Sequence, residues 1–193
     1  MSLAHDYAGA GTRPMAPASR QLDPERLGDH LDRLYRAAWG LCGSREDAED
    51  LVQETYARVL RRPRLLRADD DLGYLLRVLR NTHASTRRAA GRRLRPDPLP
   101  DDLDRVEDRS AADPQEAVAA GELYALIAGL PDGFREALVA VDVLGLSYRE
   151  AARALRVREG TITTRLHRAR LRLAQALDGK EPGPAGVMIG RAR

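Results

Sequence analysis

Residues 146 to 177 read LSYREAARALRVREGTITTRLHRARLRLAQAL, and this stretch decides the fold. Ser147 suits a helix N-cap, and Glu150 three positions on completes a capping box, so a short helix opens at Tyr148. Ala151, Ala152 and Leu155 give it an apolar side. A turn around Val157 to Glu159 leads into a longer helix from about Gly160 to Leu177. At about 100° per residue, Ile162, Leu166, Ala169 and Leu173 gather on one side of that helix. Thr161, Thr164, Arg165, Arg168 and Arg172 gather about a right angle away. One face must pack; its neighbour is cationic and carries hydroxyls. A capped short helix, a tight turn and a basic second helix describe a helix-turn-helix, whose second helix fits a major groove. Its N-terminal residues then reach base edges while arginines hold phosphate. Arg149 and Arg153 of the short helix fall near the backbone. A solvated surface helix would also carry charge outward, but it needs no capped helix and turn before it.

Upstream of this unit, Phe134, Ala137, Leu138, Val141 and Leu144 form a helix that Gly145 caps. Ala117, Val118, Leu123, Leu126 and Ile127 form another, opened by Pro114 and ended by Gly129 to Pro131. Nearer the start, Leu27, Leu31, Leu34, Tyr35 and Ala38 make an apolar stripe that Gly40 to Gly43 interrupts. Ser44 caps the next helix, which carries Leu51, Val52, Thr55, Tyr56, Val59 and Leu60 on one face. Glu46, Asp47, Asp50, Gln53 and Glu54 lie on the other, and Pro63 ends it. Asp69, Asp70 and Asp71 favour a third helix N-terminus, running to roughly Arg93. With one Phe, one Trp and few alternating β-branched runs, the chain is expected to be all-α.

Charge is sorted along the chain although the net value is only +3. From Arg77 to Arg95 there are seven arginines and no acid. From Pro96 to Asp108 the sign reverses, with Pro96, Pro98 and Pro100 forbidding helix. The expected organisation is therefore a tail over 1–22, a helical domain over 23–93, an acidic flexible linker over 94–113, a helix-turn-helix domain over 114–178 and a second tail over 179–193. Genomic bias toward Arg explains why Lys180 is the only lysine, but not where the arginines cluster.

The residues also resemble a known family. Leu146 to Ala152, Gly160-Thr161-Ile162, Arg165 to Arg170 and the upstream run Leu130 to Glu136 are similar to region 4 of bacterial sigma factors. Asp47 to Thr55, and Leu75 to Arg88 with Arg80-Asn81, resemble region 2. The compact two-part layout over about Leu27 to Leu177 is similar to the extracytoplasmic-function (ECF) subfamily. The resemblance implies a sigma factor that binds core RNA polymerase and directs promoter recognition and transcription initiation.

It implies residue roles as well. Region 4 would read the minus-thirty-five duplex through Arg149, Thr161, Thr163, Thr164, Arg165, His167 and Arg168. Region 2 would melt and read the minus-ten element through Arg77, Arg80, Asn81, His83, Arg87 and Arg88. An unstacked base needs a shaped pocket and backbone cations, which the acid-free stretch supplies. Asn81 also fits a helix-stabilising or core-satisfied amide. Asp47, Asp50, Gln53 and Glu54 would meet the polymerase clamp, where charge mainly sets on-rate and orientation. The same residues also fit a solvated face. Four positions depart from the family pattern: Tyr74 stands where Trp is common, Ser85 where Asp is common, and Thr163 and Thr164 where Lys or Arg and Ser are common.

Further expectations concern partners and place. Promoter DNA, core polymerase and an anti-sigma factor are the expected partners of a chain that is monomeric away from polymerase. One cysteine excludes an internal disulfide or a cysteine-rich zinc site, and no apolar run is long enough to span a membrane, which fits the cytoplasm. Scattered histidines, a lone Cys42 and no Gly-rich phosphate loop exclude an enzyme, a metal centre and a cofactor. A polymerase-independent helix-turn-helix regulator and a polymerase adaptor remain as other readings. The first leaves the acidic face and the acid-free arginine stretch without a use.

Overall fold

A computed structural model describes residues 19–22, 24–62, 65–67, 70–93 and 114–179. In order these form strand β1 (Ser19–Gln21), a 3-10 segment (Pro24–His30), α1 (Leu31–Cys42), α2 (Arg45–Arg61), β2 (Leu65–Arg67), α3 (Asp71–Arg93), α4 (Pro114–Ala128) and α5 (Asp132–Leu138). A π-helical turn over Val139–Val143 continues α5, and α6 (Tyr148–Leu155) and α7 (Glu159–Leu177) follow. The expected linker over 94–113 lies outside the described residues, as do 1–18 and 180–193 of the expected tails.

The caps set the helix limits. The Asp47 amide donates to Ser44 Oγ at 3.2 Å, opening α2. At α6 both halves of the capping box form: the Glu150 amide donates to Ser147 Oγ at 3.3 Å, and the Ser147 amide donates to Glu150 Oε2 at 2.8 Å. Such a cap is worth about 1 kcal/mol. Gly43 ends α1 at φ 86°, where its N–H reaches the Trp39 carbonyl.

Four expectations need correction. Gly40 does not interrupt α1, which runs on to Cys42. A Cβ there would lie 3.0 Å from Val139 Cγ2, so Gly40 marks where α1 and the π-turn pack most closely. In α4, Val118 is 63% exposed and Leu123 37%, while Ile127 and Tyr124 make the inward stripe. Leu31 is likewise exposed at the start of α1. The end of the expected tail over 1–22 is a strand: β1 pairs antiparallel with β2, Ser19 opposite Arg67 and Gln21 opposite Leu65. Leu22 and Leu66 are both 6% exposed and anchor this ribbon in the core.

That core is continuous across both halves. Leu34, Leu75, Leu76 and Leu79 come from the first bundle, and Val139, Leu144, Ile162 and Leu166 from the second. Helix α1 packs on α4 and on the π-turn, and α3 packs on α6. Arg33 donates across the boundary to the Leu144 carbonyl. Two helical domains are present as expected, but they sit against each other rather than apart.

Candidate nucleic-acid interface

Helix α3 carries the first group of candidate residues. Arg77 pairs with Asp70 Oδ2 at 2.8 Å beneath the helix start. Arg80 donates to the Leu155 carbonyl at 3.3 Å and lies 3.5 Å from Glu136 Oε2. Arg87 donates to Asp132 Oδ1 at 2.9 Å. Asn81 and Arg88 are exposed, which removes the core-amide reading of Asn81. His83 is half-buried; burial, with Arg135 and Arg87 adding to it, holds its imidazole below the ordinary histidine range. Asn81 lines a cavity of about 470 Å³ together with Tyr74, Arg77 and Arg80. Tyr74 is buried there, so an aromatic ring lines the cavity.

The other walls of that cavity were not foreseen. Arg58 and Arg62 reach it from the end of α2, and Arg156 from the turn between α6 and α7. Arg156 holds φ 56° and ends α6, a left-handed conformation usually left to glycine or asparagine. Its local sequence carries no such turn residue, so spacing alone pointed to Val157–Glu159 instead.

Helix α2 presents the acidic face. Asp47, Asp50 and Gln53 are exposed. Asp47 accepts from the Ser44 hydroxyl at 2.8 Å, and Glu54 accepts from Arg58 Nε at 2.7 Å, which holds the Glu54 carboxyl below its usual range. Asp50 and Gln53 therefore form the outward part of this surface. Asp47, Asp50 and Glu54 border a second cavity of about 610 Å³, whose opposite wall includes His83, Arg87 and Arg135.

In α7, Ile162, Leu166 and Ala169 are fully buried as the helical spacing predicts. Thr163, Thr164, His167 and Arg168 are exposed, with Arg149 exposed on α6. The Thr163 and Thr164 hydroxyls donate to the Glu159 and Gly160 carbonyls, leaving their oxygens free to accept. Thr161 and Arg165 are half-buried. Arg165 lies against Gly133: a Cβ on that glycine would come 3.1 Å from its guanidinium carbon. Arg172 stacks its guanidinium 5.2 Å from the centroid of Phe134. The free face of α7 is thus rotated from the one drawn by spacing, because α5 takes up Arg165 and Arg172.

Helix α5 is the element whose role the spacing did not reveal. Asp132 accepts from Arg87 and from Arg135, and the Arg87 hydrogen bond chiefly lowers its pKa. Arg135 is 7% exposed and also donates to the Ala128 carbonyl. Burial raises the Glu136 pKa, and the pair with Arg80 offsets this only in part.

Two small helical bundles, one ending in a helix-turn-helix and the other presenting a cationic helix beside an acidic one, define the class: a bipartite helical DNA-binding protein. The family model for sigma-70 region 2 matches residues 27–93, and the model for sigma-70 region 4 matches residues 120–173. The chain belongs to the ECF subfamily of RNA polymerase sigma factors, a family of non-enzymatic initiation factors. It is 38% identical over 159 residues to ECF RNA polymerase sigma factor SigE of Mycolicibacterium smegmatis, spanning 79% of this chain and 60% of that protein. It is 35% identical over 149 residues to ECF RNA polymerase sigma factor SigM of Mycobacterium tuberculosis, spanning 77% of this chain and 73% of that one. Its fold matches the sigma factor RpoE from Bartonella quintana, crystallised with the anti-sigma factor NepR, at a TM-score of 0.59 and 24% identity, covering 81% of this chain and 98% of that one. It also matches CnrH in complex with the cytosolic domain of CnrY, at a TM-score of 0.54 and 22% identity, covering 80% and 86%. Among the described residues, no helix is long and apolar enough to cross a membrane.

Proposed function

We propose that this protein binds core RNA polymerase and directs it to promoters, using its two halves on two promoter elements. The observation that carries this reading is the presence, in order on one chain, of both family regions with the acidic α2 face open to solvent. Asp50 and Gln53 meet basic residues of the polymerase clamp, with Asp47 and Glu54 at the edge. Helices α6 and α7 read the minus-thirty-five element as duplex: Thr163, Thr164 and His167 approach base edges, and Arg149 and Arg168 hold phosphates. Thr161 and Arg165, half-buried at the edge of this face, complete it. Helix α3 opens and reads the minus-ten element, with Asn81 at the flipped base and Arg77, Arg80, His83, Arg87 and Arg88 along the strand.

The protein acts in the cytoplasm without a cofactor, as a monomer until it joins polymerase. An anti-sigma factor holds it otherwise; the solved structures it resembles in fold include a sigma factor bound to such a partner. Purified protein added to core polymerase on DNA upstream of its induced transcripts should yield a defined run-off product. Absence of any promoter-directed product would sink this reading.

A further inference from the structure

The outermost strip of α7 is small and apolar rather than charged. Ile162, Leu166 and Ala169 are buried. At about 100° per residue, the direction opposite to them passes through Gly160, Thr164 and Leu171, all exposed. Thr163 and His167 lie to one side of that strip and Arg168 to the other. Both threonines spend their hydroxyl protons inside the helix: Thr163 Oγ1 donates to the Glu159 carbonyl at 3.3 Å, and Thr164 Oγ1 to the Gly160 carbonyl at 3.0 Å. Phosphate oxygens, guanine O6 and N7, and thymine O4 are all acceptors, so these hydroxyls have no proton left to offer them. With each oxygen turned back on the helix, the methyl is the outermost part of the side chain. Gly160 and Thr164 are four residues apart and so are surface neighbours. Gly160 has no positive φ, and a Cβ there would meet nothing within 4 Å, so the fold itself does not call for glycine. What glycine supplies is a bare patch of helix that another surface can approach closely. Glu159, exposed at the first position of α7, opposes the pull of the helix N-terminus on phosphate.

We infer that Thr163 and Thr164 select thymine in the duplex that α7 enters, by contact of their methyls with thymine C5-methyls, and that Gly160 lets those base edges come close. The inference rests on the proposed placing of α7 on the minus-thirty-five element. The C5-methyl is the apolar feature of the major groove, and among the four bases it belongs to thymine alone. Phosphate contacts such as that of Arg168 fix register and carry no sequence information. The threonine methyls then add a base preference that hydrogen bonding from these side chains does not supply. Covering one methyl is worth about fourfold in affinity.

The test uses the full chain assembled with core polymerase, and the minus-thirty-five duplex upstream of its induced transcripts, made with thymine or with uracil in its place. Uracil pairs as thymine does and lacks only the methyl. Wild type should bind the thymine duplex about fourfold to fifteenfold more tightly, for one or two methyls covered. Thr163→Ser with Thr164→Ser keeps the hydroxyls and removes the methyls, and should bind the two duplexes alike. Thr163→Val with Thr164→Val keeps the methyls and removes the hydroxyls, and should retain the wild-type preference. Equal binding of both duplexes by wild type, an undiminished preference in the serine variant, or a lost one in the valine variant would each overturn the inference. Arg168→Ala on the same duplexes separates this from the wider reading. If it weakens binding while thymine and uracil stay equivalent, α7 lies on DNA and methyl selection is wrong. If neither Arg168 nor the threonines affect duplex binding, the minus-thirty-five reading falls and the inference falls with it.

Discussion

The Trp39 indole stacks on the Tyr124 ring, with centroids 4.3 Å apart and planes 19° from parallel. Trp39 belongs to region 2; Tyr124 belongs to region 4. Arg45 lies over the same indole at 4.8 Å, so the ring is held on more than one side. An aromatic pair adds about 0.5–1.5 kcal/mol beyond its buried area. Because the core runs through this contact, the two halves should unfold together. Urea titration followed by Trp39 emission and by far-UV circular dichroism should give coincident transitions. Tyr124→Ala should lower stability by about 2 kcal/mol or separate the two transitions; a variant with wild-type behaviour would contradict the shared core.

Ser147 offers a more local check. Its hydroxyl accepts the Glu150 amide, and Glu150 returns the contact to the Ser147 amide. Ser147→Ala removes one side of that exchange at the start of α6. Stability should fall by about 1 kcal/mol, seen as a lower urea midpoint with an unchanged slope.

What could be read from the sequence follows from the range of the physics involved. Caps act over three residues, so Ser44, Ser147 and Gly145 revealed the helix ends directly. Helical spacing also found the buried side of α7, because Ile162, Leu166 and Ala169 repeat within one element. Spacing says that a face is buried, however, and not what covers it. Hence the Trp39–Tyr124 contact was invisible, and so was the withdrawal of Arg165 and Arg172 onto α5. The β1–β2 ribbon was hidden for a related reason: three-residue strands are too short to show alternation.

His83 should make stability depend on pH in a defined direction. Burial holds its pKa below the ordinary 6.5, and Arg135 and Arg87 add to the effect. The folded state thus prefers neutral imidazole. As pH falls through about 6.5, the unfolded chain binds the proton first, so stability declines on acidification and is recovered above that value. Glu136, raised by burial, works in the opposite sense at lower pH. The difference between wild type and His83→Gln isolates the histidine. Urea midpoints taken from pH 7.5 down to pH 5 should fall less steeply for the variant.

Cys42 should be unreactive for as long as the fold holds. Burial chiefly, then the Asp47 carboxylate, raises its pKa from 9.0 to about 11, against a smaller lowering by Arg135. Two pKa units correspond to about 100-fold less thiolate at neutral or mildly alkaline pH, and thiolate is the form that reacts. Iodoacetamide at pH 8 should therefore modify folded protein about 100-fold more slowly than protein in urea. Equal rates would place Cys42 in a far more open setting than its half-buried site at the end of α1.

Arg168 gives the sharpest separation between a reading surface and a packed one. It is exposed on α7, whereas Arg165 on the preceding turn is half-buried against α5. Replacing an exposed phosphate contact changes binding and leaves folding alone. Arg168→Ala should keep the wild-type urea midpoint, weaken binding to promoter duplex about tenfold, and reduce the slope of log affinity against log salt by about 1. Arg165→Ala should lower the urea midpoint as well, because its guanidinium covers Gly133. If Arg168→Ala binds duplex with unchanged affinity and salt slope, α7 does not lie on DNA by this face, whatever the rest of the chain does.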